Sequence, residues 1–335
     1  MKRRPIALAV PLVLALTAAC GGGGSAADRG RAGPMETTTS VLTSGTYPLT
    51  GVPADPAKSR RRAVAAKIDN AAAARPQAGL DAADVIYEEF TEGITRFVVV
   101  FHSSDAPFVG PVRSARPADA NIVKPFGGPF VFSGGAPAVE AVVRAAGVTE
   151  ITENDRDTLP RRSGRRAPHN LYTSTDAMFR KAGAGAPPPV FSPFLRPGET
   201  GAPAGATPAA SVRLAPAPKV SAAYQWDADA GVWKRSTDGR AHMLEGGAQI
   251  SPKNVIVQFT RYSGFEADRK VRFPEVVGSG DALIFVNGTQ VKARWTKSSP
   301  GDMTTYADSA GKPIPLAPGQ TWVHLQETGS PVTVA

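Results

Sequence analysis

An α+β fold, with a mixed α/β N-terminal unit and a mostly-β C-terminal unit, follows from three features of the 335-residue chain. In the first half, apolar strand-like runs and helical patterns mix without regular alternation, which argues against a doubly wound sheet. From Ser211 onward, alternating apolar residues and turn signals recur with no helical period. Between the two, residues 182–210 are rich in Pro, Gly and Ala, a break that reads as a linker or as a long excursion within one fold.

The first residues bear on location. Met1-Lys-Arg-Arg4 is a basic start, and Ile6 to Ala19 is an apolar stretch of signal-peptide length. It ends at Thr17-Ala18-Ala19-Cys20, and small residues before a cysteine resemble the lipobox of bacterial lipoproteins, although Leu16 lies one place early and Thr17 takes its position. The plainer reading is a secretory signal with an incidental cysteine. Cys20 is the sole cysteine of the chain, placed where lipidation needs it, so residues 1–20 are expected to be a lipoprotein signal peptide. Residues 21–46, rich in Gly, Ser and Thr, read as a flexible tether. Removing Lys2, Arg3 and Arg4 takes the basic count from 38 to 35 against 29 acidic residues, and the formal charge from +9 to +6. A mildly basic protein held outside the membrane suits anionic envelope partners. Nucleic acid is excluded as a partner, because the chain is read as exported and lacks a basic motif interleaved with aromatic residues.

Order is expected from Tyr47. In an N-terminal unit over 47–181, strands are predicted at Arg62–Asn70, Asp84–Phe90 and Ile94–His102, the last two joined by a Glu92-Gly93 hairpin turn. Pro76 biases Arg75 away from helix. Ala118 to Lys124 reads as one or two helical turns, and Pro129–Ser133 as a strand. Pro137 to Gly147 has Pro at the start, apolar Val139, Val142 and Val143, and Gly as a stop, which predicts a helix. Thr149 to Arg166 reads as a polar surface loop, and Ser174 or Thr175 caps a short helix ended by Gly183. In a C-terminal unit over 211–335, two strands surround a turn within Tyr224–Arg235. Asn287-Gly288 is the strongest hairpin signal of the chain, and Thr321–Gln326 is a last strand.

The chemistry is sparser. His102, His169, His242 and His324 show no metal-ligand spacing, and no nucleophile, phosphate-loop or dinucleotide motif occurs, so neither metal nor cofactor is expected. Glu88-Glu89 cannot act as a catalytic pair, since neighbours on a strand face opposite sides; the pair reads as a solvated edge. Arg113-Ser-Ala-Arg116 is more informative. Two guanidiniums between Pro111 and Pro117 can make bidentate contacts with carboxylate or phosphate, or pair internally with Asp69, Glu88 or Asp119. His169-Asn170, a compact polar pair amid Pro and apolar residues, follows the basic loop 161–166.

Taken together, Tyr47-Pro-Leu-Thr-Gly51, Ala66-Lys-Ile-Asp-Asn70, Arg75-Pro-Gln-Ala-Gly-Leu80, Glu92-Gly-Ile-Thr-Arg-Phe97, Val109-Gly-Pro-Val-Arg-Ser-Ala-Arg-Pro117 and Ala167-Pro-His-Asn-Leu-Tyr172 resemble the YerB-type family of bacterial lipoproteins. Lys253-Asn-Val-Ile-Val257 and Pro318-Gly-Gln-Thr-Trp-Val323 resemble its C-terminal unit. The resemblance implies a lipid-anchored, extracytoplasmic protein of two units of unknown function, with no catalytic residues to carry over. The expectation is therefore a non-catalytic binding or accessory protein of the cell envelope. Its membrane contact is a lipidated Cys20, and its partner is a cell-wall polymer or an envelope protein. The expected pocket comprises Asp69, Asn70, Arg96, Arg113, Ser114, Arg116, His169 and Asn170. The alternative is a hydrolase or transferase acting on an anionic wall or phosphoester substrate, with His169 as acid/base.

Overall fold

A computed structural model describes residues 45–196, 199, 201–217 and 220–335. Cys20, the expected signal peptide and nearly all of the expected tether lie outside the described residues. The described residues belong to one compact unit. Among the described residues, no helix is long and apolar enough to cross a membrane.

The architecture is α+β. Its frame is an eleven-stranded mixed sheet drawn from both halves of the chain. The N-terminal half supplies β1 (Val64–Asp69), β2 (Val85–Thr91), β3 (Ile94–Phe101), β4 (Phe130–Val131) and β5 (Glu150–Ile151). Residues 182–210 supply β6 (Thr207–Pro208). The C-terminal half builds a separate five-stranded sheet from β7 (Ser211–Ala217), β8 (Val220–Asp227), β9 (Val232–Thr237), β10 (Arg240–Ala241) and β18 (Val332–Val334). It also adds β11 (Asn254–Thr260), β14 (Gly278–Val286), β15 (Thr289–Lys297), β16 (Thr305–Ala307) and β17 (Thr321–Glu327) to the large sheet. A hairpin of β12 (Tyr262–Phe265) and β13 (Asp268–Pro274) stands beside them. The large sheet runs β16-β15-β14-β11-β17-β2-β3-β1-β4-β5, with β6 on β15. Strand β17 pairs in parallel with β2, Thr321 opposite Val85 through Leu325 opposite Glu89, and this pairing joins the two halves.

Both faces of the sheet are covered. One carries α1 (Asp119–Val123) and α2 (Pro137–Ala145), whose Ile122, Val139 and Val143 pack with Ala65, Tyr87, Val98 and Val100. The other carries α3 (Thr175–Ala182) and the five-stranded sheet, whose Met178, Leu214, Tyr224 and Trp233 pack with Ala66, Ile68, Phe97 and Val99. Burial on both faces explains why β1 to β3 read as continuous apolar runs and not as clean alternation.

The local signals act as chemistry demands. Glu92 and Gly93 turn at φ 50° and 85°, and Asn287 and Gly288 at 49° and 71°, the left-handed pairs that tight hairpins require. Pro137 opens α2, and Ser174 caps α3 by accepting from the Ala177 N–H at 3.1 Å. Gly128 lets the chain approach β1: a Cβ there would fall 1.6 Å from the Ala63 carbonyl oxygen.

Two expectations fail. Glu88 and Glu89 are not a solvated edge but are 1% exposed, at the centre of the sheet with one on each face. Their strand is flanked by β17 and β3, so each charge needs a buried partner. The stretch 149–166 is not wholly loop, because Glu150 and Ile151 extend the sheet beyond β4.

Candidate functional site

The eight polar residues singled out in the sequence converge on one end of the large sheet without all sharing one surface. Strands β1 and β4 pair in parallel at Ala65–Phe130 and Ala66–Val131. Beyond that point the chain leaves β1 toward the face holding Leu80, and leaves β4 toward α2 on the opposite face. Strands that diverge in this way open a crevice at their carboxyl ends. The segment 111–115 wedges into it. Arg113 N–H donates to the Lys67 carbonyl at 2.9 Å, Ser133 N–H to the Arg113 carbonyl at 3.0 Å, and Ala115 N–H to the Gly134 carbonyl at 2.9 Å.

At the crevice, Asp69 holds two partners from distant segments. Its Oδ2 lies 2.8 Å from His169 Nδ1 and 3.0 Å from Arg113 Nε, the latter an ion pair without hydrogen-bond alignment. Its Oδ1 accepts the Ala71 N–H at 3.0 Å. The Asp69 carboxyl is fully buried, whereas the Arg113 side chain is 23% exposed and that of His169 is 19% exposed. Among the described residues the terminal nitrogens of Arg113 donate to nothing, and His169 Nε2 has no partner. A carboxylate accepting from Nδ1–H fixes the tautomer that leaves Nε2 free as an acceptor.

The other residues fall around this triad. Arg96 Nη1 donates to the Ser114 carbonyl at 3.0 Å, and Arg116 Nη1 reaches the same oxygen at 3.4 Å. Arg116 also donates to Thr91 Oγ1 at 2.9 Å, the Ala115 carbonyl at 2.8 Å and Glu92 Oε2 at 2.5 Å, so its fork is consumed between its own loop and the β2–β3 turn. Burial, then the charges of Arg116 and Arg113, lower Arg96 to about 10. Ser114 Oγ lies 3.4 Å from Ser133 Oγ. Asn170 turns to Arg161, at 3.0 Å. Asn70 points away from the crevice, its Nδ2 donating to Thr95 Oγ1 at 2.7 Å.

Behind Asn70 lies a buried ring of hydrogen bonds that sequence reasoning missed. Thr95 donates to Glu88 at 2.8 Å, and Glu88 pairs with Arg235 of the five-stranded sheet at 3.0 Å. Arg235 Nε donates to His242 Nδ1 at 3.2 Å, and His242 Nε2 lies 2.8 Å from Gln77 Oε1. Gln77 Nε2 returns to Asn70 Oδ1 at 3.2 Å and to the Asp69 carbonyl at 2.9 Å. Arg235 also donates to Tyr224 at 2.6 Å; the tyrosine hydroxyl therefore donates onward to His324 Nε2 at 2.8 Å, leaving His324 Nδ1–H facing Glu88. Burial alone would raise Glu88, but the Arg235 charge, with hydrogen bonds from Thr95 and Trp322, holds the carboxyl below its usual value. Burial lowers His324 to about 4 and His242 to about 2, so both rings are neutral. On the opposite face, Lys67 holds Glu89 and, at 2.7 Å, Asp119. Burial raises Glu89 to about 7. The available signal was a charged residue inside each apolar strand: Lys67, Glu88 and Glu89.

The arrangement offers a partly exposed guanidinium and an oriented imidazole on a rigid base, which can bind an anion or move a proton. Clefts of about 450, 570 and 500 Å³ open elsewhere, along 195–204 with 308–315, along 204–207 with 290–292, and along 259–261 with 278–281. None of the eight residues lines them. Among the described residues no group of three or more His, Cys, Asp or Glu could hold a metal ion.

Comparison with known proteins sets this geometry in a family. Residues 49–186 match the model described as "Protein of unknown function (DUF3048) N-terminal domain", and residues 211–323 match its C-terminal domain. The chain is 29% identical over 285 residues to "Putative lipoprotein YerB" of Bacillus subtilis (strain 168), covering 83% of this chain and 85% of that protein. It is also similar to the crystal structure of the YerB protein from Bacillus subtilis, with a TM-score of 0.75 and 26% identity over 87% of this chain and 99% of the other. With both domain models matched in order across most of its length, the chain belongs to the DUF3048 family.

Proposed function

We propose that this protein is a lipoprotein of the bacterial cell envelope, anchored through Cys20 on the extracytoplasmic side and tethered by residues 21–46. Its two units, 47–181 and 211–335, would present the β1–β4 crevice to an anionic wall polymer or to an acidic partner of wall assembly. The reading is supported by the Thr17–Cys20 motif and by similarity to a protein that carries the name lipoprotein. The observation that carries it is the Arg113 guanidinium, whose terminal nitrogens have no described partner although a buried carboxylate fixes the side chain. A fixed, half-committed arginine loses little freedom on binding. In this reading Arg113 and His169 meet the ligand and Asp69 orients both. Arg96, Ser114 and Arg116 shape the loop, while Asn70 and Asn170 buttress it from either side.

A second reading, catalysis with His169 as acid/base, is favoured by the 2.8 Å contact that orients the imidazole. One experiment addresses both: retention of the full chain on purified cell walls, with release of soluble fragments followed in the same tubes. Arg113→Ala is expected to lose retention at a melting temperature close to the parent's. Arg116→Ala, which strips the loop of its donors, lowers the melting temperature. Retention that survives Arg113→Ala would overturn the binding reading. Fragment release that disappears in His169→Ala would establish the catalytic one.

A further inference from the structure

We propose that the group bound at the β1–β4 crevice is a phosphoryl group, as in a phosphomonoester or phosphodiester, and not a carboxylate; this rests on the anion-binding reading above.

The balance of hydrogen-bond donors and acceptors at the wedge favours a phosphoryl group. Toward solvent, the crevice presents mainly groups able to donate. Arg113 brings two terminal nitrogens in the planar fork that matches an oxyanion. The Ser114 and Ser133 hydroxyls share a single 3.4 Å contact, so one proton remains unspent. The peptide N–H groups of Gly134 and Gly135, which follow β4, donate to no described group. Most acceptors nearby are engaged: Asp69 by Ala71, His169 and Arg113, Glu92 by Arg116, and the Ser114 carbonyl by two arginines. The exception is the Glu140 carboxylate, whose Oε1 would lie 3.5 Å from a Cβ at Gly134. One further donor is stranded. Arg96 is 4% exposed, and its Nε has no partner although its Nη1 donates to the Ser114 carbonyl and its Nη2 pairs with Glu92 at 3.7 Å.

A carboxylate has two oxygens, and the Arg113 fork would take both. It would leave the serine pair and the glycine N–H groups unserved. A phosphoryl group has further oxygens pointing out of the guanidinium plane, enough to accept from the fork, from the hydroxyl pair and from the backbone together. The spare acceptors at the margin of the site are His169 Nε2 and the Glu140 carboxylate, which can accept from a protonated phosphate oxygen or from a sugar hydroxyl beside it.

The probes are inorganic phosphate, glycerol 3-phosphate, dihexanoyl phosphatidic acid, acetate and glutarate, titrated calorimetrically into the full chain held in detergent. Phosphate and glycerol 3-phosphate are expected to bind, with acetate and glutarate at least about tenfold weaker, the scale of one charge-assisted bidentate contact. Arg113→Lys, which keeps the charge beside Asp69 and loses the fork, is expected to weaken glycerol 3-phosphate about tenfold with an unchanged melting temperature. Ser133→Ala is expected to weaken it while leaving acetate unaffected. A stronger signal from dihexanoyl phosphatidic acid than from glycerol 3-phosphate identifies a lipid headgroup as the source; the reverse identifies a soluble or polymeric phosphate. If glutarate binds as tightly as phosphate and depends on Arg113, the phosphoryl assignment is wrong while the anion site stands. If no probe depends on Arg113, both are wrong.

Discussion

Arg113 and Arg116 stand three positions apart in one proline-bounded loop, and their surroundings divide them. Arg116 is 8% exposed and spends its donors on Thr91, Glu92, Ser114 and Ala115; Arg113 keeps its terminal nitrogens in hand. The sequence offers both as equal ligands because neither burial nor partner identity is a local property. His102 shows the same logic applied to stability. It is fully buried and edge-on to Tyr47 at 5.5 Å, and burial, with the nearby Arg61 charge, lowers its imidazole from 6.5 to about 4. Between those values the unfolded chain binds a proton that the folded chain refuses, so this residue's contribution to stability is lost as pH falls from about 6.5 toward about 4. Replacing it with Phe removes the linkage. The melting temperature of His102→Phe, compared with the parent across pH 7.5 to 4, is expected to shift in the variant's favour as the solution is acidified. A constant difference would mean that His102 is charged in the fold or already shielded in the unfolded chain.

At the scale of elements, what is written locally can be read and what is written across the chain cannot. The two hairpin turns, the proline start of α2 and the serine cap of α3 each depend on three or four adjacent residues, and all stand where the sequence puts them. The short β12–β13 hairpin, β16 and β18 left no comparable mark, being short and half-exposed. The parallel pairing of β17 with β2 could not be seen at all, because it joins residues more than 230 positions apart and no turn announces it. The same holds for the crevice. Asp69, Arg113 and His169 were each legible as polar residues held among apolar ones. That these three meet while Asn70 faces a buried ring depends on the divergence of β1 and β4, a feature of topology. Glu88 and Glu89 mark the cost of reading a strand without its neighbours. Their alternation was legible, but the partners that make them tolerable, Arg235 and Lys67, come from β9 and β1.

The whole molecule is organised about the β2–β17 pairing. Glu88 of the N-terminal half is neutralised by Arg235 of the C-terminal half and faces the neutral His324 ring, and Trp322 Nε1–H donates to the same carboxylate at 3.2 Å. Residues 211–335 made alone would expose β17 as a long edge strand and leave Arg235 buried without its carboxylate, each a strong penalty. That fragment is expected to aggregate or remain unfolded by circular dichroism, and to be rescued by co-expression with residues 45–210; a stable monomeric fragment would refute this view of the seam. The rigid base so formed holds the crevice at its edge, where Arg113 is the group proposed to meet the ligand. The most direct measurement follows the guanidinium Nε–Hε NMR signals of Arg113, Arg116 and Arg235 while an anionic wall fraction is titrated into the full chain. The Arg113 signal is expected to move and saturate, that of Arg116 to move less, and that of buried Arg235 to stay still. A titration that binds the polymer and leaves Arg113 unmoved would contradict this role.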